Sequence, residues 1–421
     1  MPRPPRQSPH EYRPRSLLWD GRIALVWGAG LVAWLGNHAL FVVLPFVVFD
    51  STGSPAATAL TVLSAALPPV LLGQVAGVVS DRWDRRRILL GANLALMILT
   101  LGYLAVEAWP WIAALSFVRN CFGQLVGPSE HALLPELAPT DRLGEIASLN
   151  TLNNSLARLV GPAVGGTMLA MAGFPAAIWT VAVCHGLSAL LVAAVDHRRP
   201  STESCAARPG MIAQWRDGAA LVSRHPALRA LVPVVALMAL GEGFVSALLA
   251  PFARELLNAG PDALGWILSA QAVGGVLGSL WATWVADRRD AFPLLVSAAF
   301  TAGVLLLAVF TYPHVHPVLW PAVVLTALAG APFAVVAAMQ GTLLQTQSPS
   351  VLRGRVFSVF WGIASVVQIA AIGLAGVLAE RVGSGVIVAD AIAYLAAGVV
   401  GIMAVRRLRD DPRRRDLNDM S

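Results

Sequence analysis

Residues 73–90 read GQVAGVVSDRWDRRRILL, and the order of residue types in that stretch decides the fold. An apolar run ends at Asp81 and Arg82, Arg85 and Arg86 follow, and a second apolar run opens directly behind them. A shorter version, DRRD, stands at Asp287–Asp290, again between two apolar runs. The two loops therefore occupy matching places in two similar halves of one chain.

The chain around them cannot build a water-facing surface. Of its 421 residues 57% are hydrophobic and 13% charged, against about 25% charged in a typical soluble domain. Roughly 20 apolar residues in a helix span a bilayer core. Runs of that length recur at about 22–49, 56–80, 88–106, 109–133, 145–172 and 174–195. They recur again at about 228–253, 262–286, 291–311, 317–344, 355–379 and 384–405. Backbone amides in hydrocarbon need internal partners, and no ten-residue alternation suggests a barrel. The expected fold class is all-α integral membrane, with twelve transmembrane helices in two pseudo-symmetric six-helix bundles.

The domain boundaries follow. An N-terminal tail covers 1–21, the first bundle 22–195, a linker 196–227, the second bundle 228–405 and a C-terminal tail 406–421. Asp81–Arg82 and Asp287–Arg288 are offset by 206 residues, and Gly144 of RLGEIASLN and Gly354 of LRGRVFSVF by 210. Two landmarks at nearly one offset indicate a parallel repeat, with a binding cavity between the repeats. In the linker, Met211, Trp215, Ala219 and Val222 recur at helical spacing. A helix on the membrane surface and a solvated linker helix both fit.

All 30 basic residues are arginine. Arg119 and Arg158 lie inside apolar runs and Arg254 and Arg381 on one side of the membrane, with every other arginine on the opposite side. The positive-inside rule makes that arginine-rich side cytoplasmic, with both termini inside. The net charge of +6 follows from this bias, so no nucleic-acid partner is expected. Without lysine there is no phosphate-binding loop, and Gly28, Gly30 and Ala33 mimic a dinucleotide motif only inside a span. Cys121, Cys184 and Cys205 are scattered and give no disulfide framework or metal spacing. No cofactor, metal or catalytic constellation is expected, and the chain does not read as an enzyme.

Several residues could carry transport chemistry. An arginine at mid-membrane costs about 2.5–3.5 kcal/mol on insertion scales, so Arg119 and Arg158 must face a partner or a wet cavity. A carboxyl in low-dielectric surroundings can exchange protons near neutral pH. Glu242, in ALMALGEGF (236–244), reads as the most isolated buried acid and the first candidate proton site. Arg119 or Arg158 is its possible counter-charge, and a structural acid paired across helices is the competing reading. His38 is a second candidate. Glu130 and His131 end span 4, where water can solvate them, and Asp390 lies nearer the outer end of span 12. Asn37, Asn150, Asn154, Gln271, Gln340 and Gln368 could line the cavity or simply bond helix to helix; Asn153 reads the same way.

The loop at 73–90 resembles the signature loop of the major facilitator superfamily, through Gly77, Asp81, Arg82, Arg85 and Arg86, with Asp84 where that pattern has a glycine. The second copy is degenerate, with Thr283 in place of Gly77. Gly161, Pro162, Gly165 and Gly166 of RLVGPAVGG (158–166) resemble the motif associated with exporters in that superfamily. Gly161 and Gly165 also form a small-xxx-small packing face, like Gly73/Gly77 and Gly274/Gly278. Arg119 and Gly123 match the arginine–glycine element of span 4. TGSP (52–55), ALLPELAPTDRLGEIASLN (132–150), SRHPALRALV (223–232) and RGRVFSVF (353–360) extend the resemblance to the bacterial branch of macrolide-efflux and enterobactin-export proteins. That branch often has an acid where this chain has Asn37.

The resemblance implies two bundles that rock about a central cavity, with the arginine loops, Asp287 and Arg288 included, holding the cytoplasmic side shut in one state. It implies export of a small, largely apolar molecule (drug, siderophore or secondary metabolite) against proton entry. The expected partners are that molecule, protons and the lipid bilayer, for a monomer in a bacterial cytoplasmic membrane. A proton-coupled nutrient importer and a non-transporting sensor of the same fold are the alternatives.

Overall fold

The structure, a computed structural model, describes residues 17–196, 211–286 and 290–409. Its order is α1 (Gly21–Thr52), α2 (Pro55–Arg82), α3 (Arg85–Gly102), α4 (Trp109–Gly123), α5 (Val126–Leu137) and α6 (Leu143–Ala193). Then come α7 (Met211–Arg224), α8 (Pro226–Glu255), α9 (Pro261–Ala286), α10 (Ala291–Thr311), α11 (Leu319–Thr346), α12 (Arg353–Val382) and α13 (Val388–Arg409). Short 3₁₀ turns join some of them, and there is no strand among the described residues.

Among the described residues, ten helices are long and apolar enough to cross a bilayer. Two details relate that number to the twelve apolar runs. Helix α6 has 51 residues, roughly twice what a bilayer core takes, and it is broken at Gly173 (φ 79°, ψ 179°). Side chains are rarely found at that φ. The arm 143–172 runs parallel to α1, since Asn153 bonds the Trp27 carbonyl and Gly161 and Gly165 meet Leu35, His38 and Ala39. The arm 174–193 runs back, since Gly36 meets Val181 and Cys184 while Gly28 meets Leu191. The chain therefore reverses at one residue. Helices α4 and α5, of 15 and 12 residues, are each too short alone. Stacked through Gln124 and Leu125 they follow α1 end to end, Arg119 against Asn37 and Glu130 against Gly30.

The end carrying Gly21 and Arg409 is termed proximal and the opposite end distal. At the distal end the bundles close tightly. Gly166 of α6 meets the Pro261 carbonyl of α9, and Gly265 of α9 meets the Pro162 carbonyl in return. Gly376 of α12 lies on Ala56 and Ala59 of α2. An apolar cluster of Val42, Phe46, Ala250, Ala253 and Leu264 seals the seam. Glu380 accepts hydrogen bonds from the Ser54 hydroxyl (3.0 Å) and the Ala56 amide (3.2 Å), placing a carboxylate at the positive end of α2. Asp50 pairs with Arg254 across the same gap at 3.0 Å.

Toward the proximal end the seam opens. Gly73 and Gly77 of α2 have nothing within 4 Å, so the packing expected of that pair is not made here; Gly274 and Gly278 do pack, on Ala327, Gly330 and Ala331. The linker helix α7 is neither free nor merely solvated: Gly218 lies on the Arg355 carbonyl of α12, Asp217 pairs with Arg355 at 2.7 Å, and Val222 joins the core.

Candidate functional site

Inside the first bundle a polar network surrounds Arg119, which is 4% exposed. Its Nε donates to Thr100 Oγ1 (3.1 Å) and its Nη2 to Asn37 Oδ1 (2.7 Å) and His185 Nε2 (2.7 Å). An imidazole nitrogen accepting from a guanidinium carries no hydrogen, so the hydrogen of His185 sits on Nδ1 and donates to Asn93 Oδ1 at 3.3 Å. Asn93 in turn donates to the Leu89 carbonyl. A buried cation is thus held by neutral acceptors from α1, α3 and α6. Three of its five donors are thus used within its own bundle, and the cation within electrostatic reach of Glu242 is Arg158. Asn37 is likewise engaged by Arg119.

Glu130 corrects a second expectation. The joint at Gln124–Leu125 turns α5 so that Glu130 points at α1 instead of at water, leaving it 3% exposed. Trp34 Nε1 donates to its Oε2 at 3.2 Å, and its other oxygen lies over Gly30, where a Cβ would clash. His131, one residue on, is exposed and bonds Asn150 Nδ2 at 3.1 Å.

Between the bundles, at mid-height, lie three titratable or charged side chains. Arg158 on α6 and Glu242 on α8 are both exposed, although each sits near the middle of its span. Arg158 is within electrostatic reach of Glu242 and of His38 on α1. Lipid is a costly surrounding for a charge at that depth, so we read the space shared by Arg158 and Glu242, beneath the distal seam, as a wet vestibule. Glu242 is therefore neither buried nor isolated as the sequence suggested. Tyr394 of α13 donates to its Oε1 at 3.3 Å, and Asp390 lies beside it. Asp390 lies in the first turn of α13, near the outer end of its span, and packs on Gly241 at the middle of α8.

The remaining sequence candidates fall as follows. Asn154 is exposed on α6, while Gln271, Gln340 and Gln368 are half-buried on α9, α11 and α12. The carbonyls of Gln271 and Gln368 lie against Gly330 and Gly243, at helix crossings. In the arginine loop, Arg85 pairs with Glu136 and donates to the Ala132 carbonyl at 3.1 Å. Arg86 donates to the Val192 and Ala193 carbonyls, at 3.2 and 2.5 Å, capping the end of α6. Asp84, where the family pattern has glycine, is the N-cap of α3 and accepts from the Arg87 amide at 2.8 Å. Asp81 and Arg82 close α2. The side chain of Asp81, and Asp287 and Arg288 altogether, lie outside the described residues.

His185, Asn93, Thr100, Trp34 and Tyr394 were not singled out by sequence. Two carried a signal: His185 is a histidine inside an apolar run, as His38 is, and Tyr394 stands one helical turn after Asp390.

Residues 16–416 match the family described as transmembrane secretion effector. The chain belongs to that family. It is a major facilitator transporter and a multi-pass bacterial membrane protein. It is 28% identical to the multidrug efflux pump Tap of Mycobacterium tuberculosis over 91% of this chain and 93% of that protein. It is also 28% identical to the uncharacterized MFS-type transporter YfiS of Bacillus subtilis, over 88% and 87%. With macrolide efflux protein A of Streptococcus pyogenes it shares 23% identity over 87% and 91%. Among solved structures, a bacterial homologue of the iron transporter ferroportin in an inward-facing state superposes with TM-score 0.74, at 15% identity over 93% and 99% of the two chains. A bacterial homologue of the lysosomal transporter Spinster, also inward-facing, gives 0.65 at 15% identity over 91% and 95%.

Proposed function

We propose that this protein exports small, largely apolar molecules from the bacterial cytoplasm in exchange for protons, by alternating access, as a monomer in the cytoplasmic membrane. The proximal end is cytoplasmic on this reading, as the arginine bias requires. The observation that carries the proposal is the exposed pair Glu242 and Arg158, on opposite bundles at mid-height of a vestibule closed distally. Efflux pumps among the relatives support the direction of transport.

In the proposed cycle, cargo enters the vestibule from the cytoplasm while Glu242 is ionised and held by Arg158. Rocking opens the distal seam, cargo leaves, and a proton from outside neutralises Glu242. Loss of the Glu242–Arg158 attraction then favours return, because a proton shifts the equilibrium only through its different affinity for the two states. Each 100 mV of membrane potential contributes about 2.3 kcal/mol per charge moved. His38 is placed to modulate Arg158, and Asn154 to line the cargo path.

The test uses a pump-deficient bacterial host and inverted vesicles made from it. Wild type is expected to raise resistance to macrolides or ethidium and to release protons when ethidium is added to energised vesicles. Glu242→Gln is expected to lose at least tenfold in proton-coupled transport with normal membrane insertion. Uptake driven in right-side-out vesicles would instead support import, and normal coupling in the variant would remove Glu242 from this role.

A further inference from the structure

The proposed role of Glu242 leaves a neighbouring acid unused. Asp390 is 2% exposed in the first turn of α13. A carboxylate in such surroundings needs a cation or several hydrogen bonds. Its Oδ1 has no hydrogen-bond partner, and it sits against Gly241, where a Cβ would lie 2.4 Å from that oxygen. The glycine makes room for the acid.

Among the described residues, no cation faces it from the elements around it. Helices α10 and α11 and the turn Ser384–Ile387 carry no titratable side chain. On α12 the charged residues Arg353, Arg355, Glu380 and Arg381 stand at the two ends. On α8, Arg229, Arg254 and Glu255 are terminal, which leaves Glu242 as the charge within reach. On α13 itself, Arg406, Arg407 and Arg409 lie at the far end, and Tyr394 stands one turn on, bonded to Glu242. Two interacting carboxyls in a low-dielectric site titrate as a unit and do not both ionise.

We propose that Asp390 is a second proton-binding residue of the transport cycle, forming with Glu242 a dyad linked through the Tyr394 hydroxyl. This rests on the proton-coupled reading above. Glu242 exchanges protons with the vestibule, and Asp390 keeps one while Glu242 is held ionised by Arg158. The Asp390 carboxyl does not bond the Tyr394 hydroxyl in this structure, so the exchange begins with its turning toward that oxygen; the O–H bond of Asp390 then breaks as the Tyr394 oxygen gains that hydrogen, and the hydrogen of Tyr394 passes to Glu242. The negative charge moves from Glu242 to Asp390, and the dyad carries one negative charge before and after.

The test is infrared spectroscopy of the full-length protein in lipid vesicles at neutral pH, with no substrate needed. Wild type is expected to show a protonated-carboxyl C=O band that disappears in Asp390→Asn and persists at a shifted frequency in Glu242→Gln. Tyr394→Phe should keep the band but slow its hydrogen–deuterium exchange at least tenfold. A band unchanged in Asp390→Asn, in protein with wild-type thermal unfolding, would overturn the dyad. So would unchanged exchange in Tyr394→Phe. Ethidium-driven proton movement, measured in parallel, separates the two ideas. If wild type moves no protons while the band still depends on Asp390, the exporter reading falls and the protonated acid stands. If proton movement occurs and Asp390→Asn alters neither it nor the band, the dyad falls alone.

Discussion

Arg119 and Glu130 are buried ionisable groups of opposite sign in one bundle, and each bonds neutral partners. The guanidinium reaches three acceptors on three helices because its donors form a flat fork, which an ammonium cannot copy. Arg119→Lys is therefore expected to lose about 1.5–3 kcal/mol, the usual worth of a hydrogen bond to a charged group, read as a lower thermal unfolding midpoint in detergent. Gly30→Ala should cost about 1–3 kcal/mol by overpacking, since the new methyl would meet the Glu130 carboxyl. A Gly30→Ala protein as stable as wild type would contradict the contact. Residue identity alone made Arg119, Arg158 and Glu242 legible, because a charge in an apolar run is conspicuous. Their partners were not legible. Tyr394 lies 152 residues from Glu242 in sequence, and only helix packing through glycines brings the two together.

Helices were the most legible elements, since a bilayer demands long apolar runs, and ten of the described helices are long and apolar enough to cross one. The joint between α4 and α5 was marked in the sequence but not read: Pro128 has no N–H to offer the Gln124 carbonyl four residues back, and Gly123 and Gly127 flank the break, although Gln124 and Leu125 keep helical dihedrals. The arginine loop shows the opposite case, a departure from a family pattern that the structure explains. Asp84 replaces a turn glycine and caps α3 instead. Asp84→Ala should cost about 1 kcal/mol, whereas Asp84→Gly should cost only a few tenths. Equal losses in the two variants, measured by thermal unfolding, would argue against the cap. In α6, three glycines divide the labour, Gly161 and Gly165 against α1 and Gly166 against α9. A side chain at Gly161 therefore disturbs one bundle, and a side chain at Gly166 disturbs the seam between them. Gly166→Val is expected to shift spin-label distances across the distal end toward separation while sparing the fold of each bundle.

At the scale of the whole molecule, the distal seam joins the two bundles through glycine contacts, apolar packing and two exposed polar links. Exposed ion pairs contribute about 0–1 kcal/mol, so Arg254→Ala should change the ratio of distal-closed to distal-open protein by at most about fivefold. Spin labels across the distal end would read the change, and Asp50→Arg with Arg254→Asp should restore the wild-type ratio. Which end of the seam is closed was not legible, because the assignment of residues to spans says nothing about how the two bundles meet. The single-residue reversal at Gly173 has its own consequence. Its two arms grip α1 from either side along much of its length, like the prongs of a clip on a rail. Any force that swings α6 must carry α1 with it, so His38, Arg158 and the Arg119 network travel as one rigid cargo-bearing wall.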